Sequence, residues 1–123
     1  MKTLLLIAHG SRREQSNIEV AQLADNLKNK LSNDYQAVHH AFLELASPLI
    51  PDVIKYCVDD GATSILVLPY FLNSGRHVHE DIPNIINEAR KSRPNISINI
   101  ASHIGASEIM VDVLMGTINA SLN

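Results

Sequence analysis

Twice along this chain a run of strand-forming residues stops at a polar loop carrying glycine and imidazole, and a helical pattern follows. Thr3-Leu4-Leu5-Leu6-Ile7-Ala8 gives way to His9-Gly10-Ser11-Arg12-Arg13. Ile65-Leu66-Val67-Leu68-Pro69-Tyr70-Phe71-Leu72 gives way to Asn73-Ser74-Gly75-Arg76-His77-Val78-His79-Glu80-Asp81-Ile82-Pro83. The same alternation of strand-like and helix-like stretches runs through the whole sequence, which implies βαβ units and a parallel sheet. In an open sheet of that kind ligands bind outside the carboxyl ends of the strands, so His9 and His77 face a crevice and not the core. Two strand ends bearing imidazoles suggest a metal site.

The remaining elements follow from periodicity and caps. Ile18, Ala21, Ala24, Leu27, Lys28 and Leu31 recur at helical spacing, and that helix can start at either of two capping boxes, Ser11-x-x-Glu14 or Ser16-x-x-Glu19. Tyr35 to Leu45 reads as strand two. Ser47-Pro48 is read as cap and first position of a helix closing at Gly61. Thr63 to about Pro69 is strand three. Asp81 is placed to cap a helix that buries Ile82, Ile85, Ile86 and Ala89 and ends before Pro94. Ile96 to Ile100 alternates as strand four, and Ser107 is placed to cap a last helix carrying Ile109, Met110, Val113, Leu114 and Ile118. Right-handed crossovers make 2-1-3-4 the most economical order of a doubly wound, four-stranded parallel sheet. That order sets His9 and His77 on opposite lips of one crevice, with Glu44 at the end of the neighbouring strand.

The 123 residues fit one domain, expected to span residues 1–123, with enough length for a real core. Hydrophobic residues at 46% against 19% charged argue against disorder, and a net charge of −3 argues against a general nucleic-acid binder. The longest apolar run falls far below the ~20 residues that span a bilayer, so no membrane role follows. Met1 to Ala8 faintly imitates a signal peptide but lacks a small-x-small cleavage site, and is read as the first strand of a cytoplasmic protein. Cys57 is the only cysteine, which excludes an internal disulfide and a cysteine-rich zinc site.

Neutral imidazole binds Fe(II), Co(II), Ni(II) and Zn(II), and two imidazoles with one carboxylate leave coordination positions open, which suits a metal that must be passed on. A closed structural site would want four protein ligands. Glu44 lies among apolar neighbours in Ala41-Phe42-Leu43-Glu44-Leu45-Ala46-Ser47-Pro48, a setting that favours its protonated form and an acid/base role. Ser11, Arg12, Ser74 and Arg76 on the two loops are candidates to hold acid groups of a substrate, the arginines by bidentate contacts beside helix N-termini. His79 is expected at the rim. His39 and His40 are adjacent in a strand and face opposite sides, so they cannot easily share a ligand role there, and a structural role is the better explanation. His103 follows the strand farthest from the crevice and is given no role.

Leu6-Ile7-Ala8-His9-Gly10-Ser11-Arg12, then Ala41 to Pro48, then Leu68-Pro69-Tyr70-Phe71-Leu72-x-x-Gly75-Arg76-His77-Val78-x-x-Asp81-Ile82-Pro83 resemble, in order and spacing, the small CbiX-type sirohydrochlorin chelatases. The resemblance covers the whole chain. It implies insertion of a divalent metal (cobalt, nickel or iron) into a sirohydrochlorin-type tetrapyrrole without ATP, the metal being a substrate and no cofactor being held permanently. It implies that His9 and His77 match the family's metal-binding histidines and Glu44 its motif carboxylate, so that His9, Glu44 and His77 form the catalytic set. It further implies a homodimer, because larger relatives carry two such domains and short chains pair. The chain departs from the family's pattern at His79 and at His103-Ile104-Gly105. Two other readings use the same histidines. A metal carrier or sensor would hold the ion without inserting it. A phosphohistidine phosphatase or mutase would need an arginine before His9, where this chain has Ala8.

Overall fold

The computed structural model describes residues 1–31 and 33–122. Four strands, β1 (Lys2–Ala8), β2 (Ala37–Phe42), β3 (Ser64–Pro69) and β4 (Ser97–Ile100), form one parallel sheet in the order β2-β1-β3-β4, as the doubly wound reading requires. They alternate with helices α1 (Glu14–Lys30), α2 (Ile50–Asp59), α3 (Ile82–Ser92) and α4 (Met110–Leu122). A π-helical turn, His77–Asp81, leads into α3, and a short 3₁₀ turn, Ile104–Ala106, precedes α4.

β1 is central, and it is buried on both faces from Thr3 to Ala8. On one face Leu5, Ile7, Ile65, Val67 and Ile98 pack against Ile50, Val53, Ile54 and Cys57 of α2 and Ile82 and Ile86 of α3. On the other face Leu6, Ala8 and Phe42 pack against Val20 and Ala24 of α1. Strand alternation sends successive side chains to opposite faces, so a strand with helices above and below has no polar side. Arg90 ties α3 to β4 by donating from Nε and Nη2 to the Ile98 carbonyl, at 2.9 and 2.6 Å.

Several local expectations are corrected. Neither capping box opens α1. Arg13 is the N-cap, the Ser11 hydroxyl accepts the Arg13 N–H in a tight turn, and Ser16 lies inside the helix. The buried stripe of α1 is Asn17, Val20 and Ala24, while Ile18 is exposed, so the helix is rotated by one residue or so from the apolar spacing read above. β2 is shorter than Tyr35 to Leu45. Ser47-Pro48 is a cis peptide outside the helix, and the proline of the first turn of α2 is Pro51. That helix ends at Asp59, with Gly61 at φ +101 where only glycine turns the chain without cost. Asp81 has helical dihedrals and caps nothing, because its carboxylate is engaged by His77. Ser107 does accept an N–H, from Ile109, but α4 begins only at Met110. Among the described residues no helix is long and apolar enough to cross a membrane.

Candidate metal centre

The first residue past β1 is His9, and its neighbour Gly10 makes the site possible. Gly10 has φ +96, and a Cβ there would fall 1.8 Å from the Glu44 carbonyl oxygen. With only hydrogen in that space, the segment after β2 continues to pair with the segment after β1: Leu43 N–H donates to the Ala8 carbonyl at 2.9 Å and Glu44 N–H to the His9 carbonyl at 3.0 Å. Glu44 thus lies two residues beyond the end of β2 and still beside His9. Leu45 follows at φ +69, a left-handed conformation that a leucine adopts at a cost of order 1–3 kcal/mol, which marks this turn as held by its surroundings.

His77 starts the π-helical turn after β3, and β3 lies next to β1 in register. The two imidazole rings are 4.6 Å apart between centroids, inclined at 59°. His9 Nε2 is 3.7 Å from a Glu44 carboxylate oxygen. One ligand atom from each of His9, Glu44 and His77 lies within 4.8 Å of the others, an arrangement that can hold one metal ion. All three side chains remain partly open to solvent.

The Nδ1 atoms decide which nitrogens face the ion. His9 Nδ1 donates to the Gly10 carbonyl at 2.9 Å, and His77 Nδ1 to the Asp81 carboxylate at 2.7 Å. With each Nδ1 carrying a proton, a neutral ring presents its Nε2 lone pair outward. Asp81 is the functional candidate that reading for caps missed. Its signal was in the sequence, since His77 and Asp81 are four residues apart and share a helix face. A histidine whose Nδ1–H is held by a carboxylate is fixed in tautomer and ring orientation.

Asn17 was also missed, and it is buried. Its side chain accepts the Ser11 N–H at 3.0 Å and donates to the Ser11 carbonyl at 2.8 Å, fixing the loop that follows His9. The other candidates are placed less tightly. Arg12 and Ser74 are exposed on the two loops, and Arg76 is exposed with Glu80 at 3.4 Å from its Nε. Glu44 is half-exposed, so the apolar enclosure expected for its carboxylate is not there. His79 is exposed and outside the cluster, and His103 sits half-buried before the 3₁₀ turn, away from it. His39 and His40 point to opposite sides of the sheet, toward Tyr56 and Phe42 respectively. Beside the cluster, on the α1 side, Ala8, Gly10, Ser11, Asn17, Phe42 and Tyr70 line a cavity of about 290 Å³.

A parallel α/β fold that gathers two imidazoles and one carboxylate at its carboxyl edge offers a donor set able to take a divalent ion with coordination positions left open. The CbiX family profile matches residues 3–121, and the chain belongs to the CbiX family. It is 36% identical over 120 residues to the chloroplastic sirohydrochlorin ferrochelatase of Arabidopsis thaliana, covering 98% of this chain and 52% of that protein. It is 29% identical over 126 residues to the sirohydrochlorin cobaltochelatase of Methanosarcina acetivorans, covering 97% and 95%. The crystal structure of the sirohydrochlorin chelatase SirB from Bacillus subtilis subspecies spizizenii in complex with cobalt superposes with a TM-score of 0.86 at 31% identity, over 97% of this chain and 50% of that one. The chain therefore spans about half the length of the Arabidopsis and Bacillus relatives and nearly all of the Methanosarcina one.

Proposed function

We propose that this chain, acting as one domain over residues 1–123, inserts a divalent metal into a sirohydrochlorin-type tetrapyrrole without ATP, in cobalamin- or siroheme-type biosynthesis in the cytoplasm. The observation that carries this reading is the convergence of His9, Glu44 and His77 ligand atoms within 4.8 Å at the carboxyl edge of the sheet. The names of its relatives support it, and they include both cobalt and iron, so the donor set is assigned a divalent ion of that group (cobalt, nickel or iron) as substrate and no permanent cofactor.

In this reading Nε2 of His9 and of His77 hold the incoming ion, and water fills the remaining positions. Weak, open nitrogen and oxygen coordination lets the macrocycle nitrogens replace these ligands one by one. Each insertion also releases two pyrrole protons. Glu44, 3.7 Å from His9, is the base assigned to take them, and its partial exposure lets it return them to solvent. The substrate's carboxylates fall to Ser11, Arg12, Ser74 and Arg76, the last exchanging its Glu80 partner for the ligand. Two copies pair so that a large flat macrocycle lies between two walls.

The test is the visible spectrum of sirohydrochlorin mixed with Co(II) and the protein. The bands should shift faster than in the uncatalysed mixture, and His9→Ala and His77→Ala should each remove most of that acceleration while circular dichroism stays unchanged. A protein that binds Co(II) without accelerating the shift is a metal carrier, and the proposal fails.

A further inference from the structure

We infer that Asn17 is a positioning residue for His9: acting across the Gly10–Ser11 peptide, it holds the proton of the His9 ring on Nδ1 and so keeps Nε2 free for the ion. The inference rests on the metal-centre reading above and concerns a side chain outside the donor set.

Asn17 is a polar residue in an apolar stripe. With Val20 and Ala24, at i+3 and i+7 from it, it makes up the buried face of α1. Val20 and Ala24 pack on Leu6, Ala8 and Phe42, so the helix holds Asn17 at a fixed place beside the end of β1. A carboxamide only 7% exposed is costly unless both its ends are hydrogen-bonded. Here both are, and to one residue: Oδ1 accepts the Ser11 N–H at 3.0 Å and Nδ2 donates to the Ser11 carbonyl at 2.8 Å. A donor facing one end and an acceptor facing the other leave the amide a single orientation.

The Ser11 N–H and the Gly10 carbonyl belong to the same peptide unit. That unit is planar and trans, so its N–H and C=O point in opposite directions from one rigid plate. On the far side of the plate the Gly10 carbonyl meets His9 Nδ1 at 2.9 Å. A carbonyl oxygen only accepts, so this bond exists only when Nδ1 carries the proton. The backbone itself does not set the plate. Glu44 N–H anchors the preceding peptide by donating to the His9 carbonyl at 3.0 Å, but Gly10, at φ +96 and without a Cβ, turns freely between the two. The grip on the second plate comes from Asn17.

That grip matters because the tautomer is contested. His9 Nε2 lies 3.7 Å from a Glu44 carboxylate oxygen, a stronger acceptor than a neutral carbonyl. If the Gly10 carbonyl swung away, a neutral ring would carry its proton on Nε2 and donate it to Glu44. His9 would then present no lone pair to the ion, and Glu44 would be occupied. By accepting the Ser11 N–H, Asn17 also polarises the plate and strengthens the Gly10 carbonyl as an acceptor. His77 reaches the same tautomer by another device, a carboxylate in direct contact with Nδ1.

The first measurement needs no metal. Long-range proton–nitrogen NMR spectra of the full, metal-free chain at pH 8, where an ordinary imidazole of pKa ~6.5 is neutral, report which nitrogen of each ring carries the proton. The parent should show Nδ1–H at His9 and at His77. Asn17→Leu fills the same space without either bond; it should move His9 to Nε2–H and leave His77 unchanged, the second signal showing that the chain is folded. Should the leucine variant not fold, Asn17→Ala is read in its place. Asn17→Asp keeps an acceptor for the Ser11 N–H and loses only the donor, so it should retain the parent tautomer. Co(II) affinity by calorimetry should fall about 10-fold in Asn17→Leu, the low end for outer partners of a ligand histidine, and less in Asn17→Asp. Nε2–H at His9 in the parent, or Nδ1–H persisting in Asn17→Leu, overturns the inference. Equal loss in the Asp and Leu variants also overturns it and leaves Asn17 a prop of the loop. A tautomer that shifts as expected in a chain that binds no Co(II) overturns the metal-centre reading instead.

Discussion

At the scale of single residues, the two imidazoles differ in what holds them. His9 gives its Nδ1 proton to a neutral backbone carbonyl, whereas His77 gives its own to the Asp81 carboxylate. The charge behind His77 makes that ring the better donor to a metal. Asp81→Asn keeps an acceptor of the same shape and removes the charge, and Asp81→Ala removes both. Partners of this kind contribute about 10- to 100-fold to metal affinity or activity. We expect the Asn variant near the low end and the Ala variant near the high end, read as Co(II) affinity by calorimetry, with melting temperature changed little because the pair is half-exposed. If both variants bind Co(II) as the parent does, Asp81 has no part in positioning His77.

At the scale of elements, β2 carries a cost that the site does not explain. It is an edge strand, and it places His39 and His40 on its two faces. Burial lowers the affinity of both imidazoles for protons, with Asp60 opposing the effect at His39 and Asp25 at His40. In the unfolded chain these groups titrate near their ordinary value of ~6.5, and in the folded chain below it, so between the two values the unfolded state binds more protons. Stability present above pH ~6.5 is therefore lost as pH falls through that window. Melting temperature should decline from pH 7 to pH 5, and His39→Gln with His40→Gln should flatten the decline. An unchanged slope in the double variant would assign the acid sensitivity to other groups.

At the scale of the whole molecule, the two faces of β1 tie both helical layers to one sheet, and Cys57 reports on that union. It lies on α2 in the larger core, 1% exposed, and its thiol is pushed up to about 11 by burial first and Asp60 second. Iodoacetamide near pH 8 should label it only through opening of the core, at a rate that rises with urea with the slope of global unfolding. Rapid labelling in the absence of urea would mean that α2 opens independently. Much of this architecture was legible beforehand. Hydrophobic alternation and the glycine-bearing strand ends determined four strands, four helices, the order β2-β1-β3-β4 and the edge where His9, Glu44 and His77 gather, because burial periodicity and crossover handedness are local and general rules. The close approach at Gly10 and the pairing of Asp81 with His77 were decided only in three dimensions. Each depends on what the fold brings into contact: the Glu44 backbone against Gly10, and an imidazole in place of a free N-terminal N–H for Asp81.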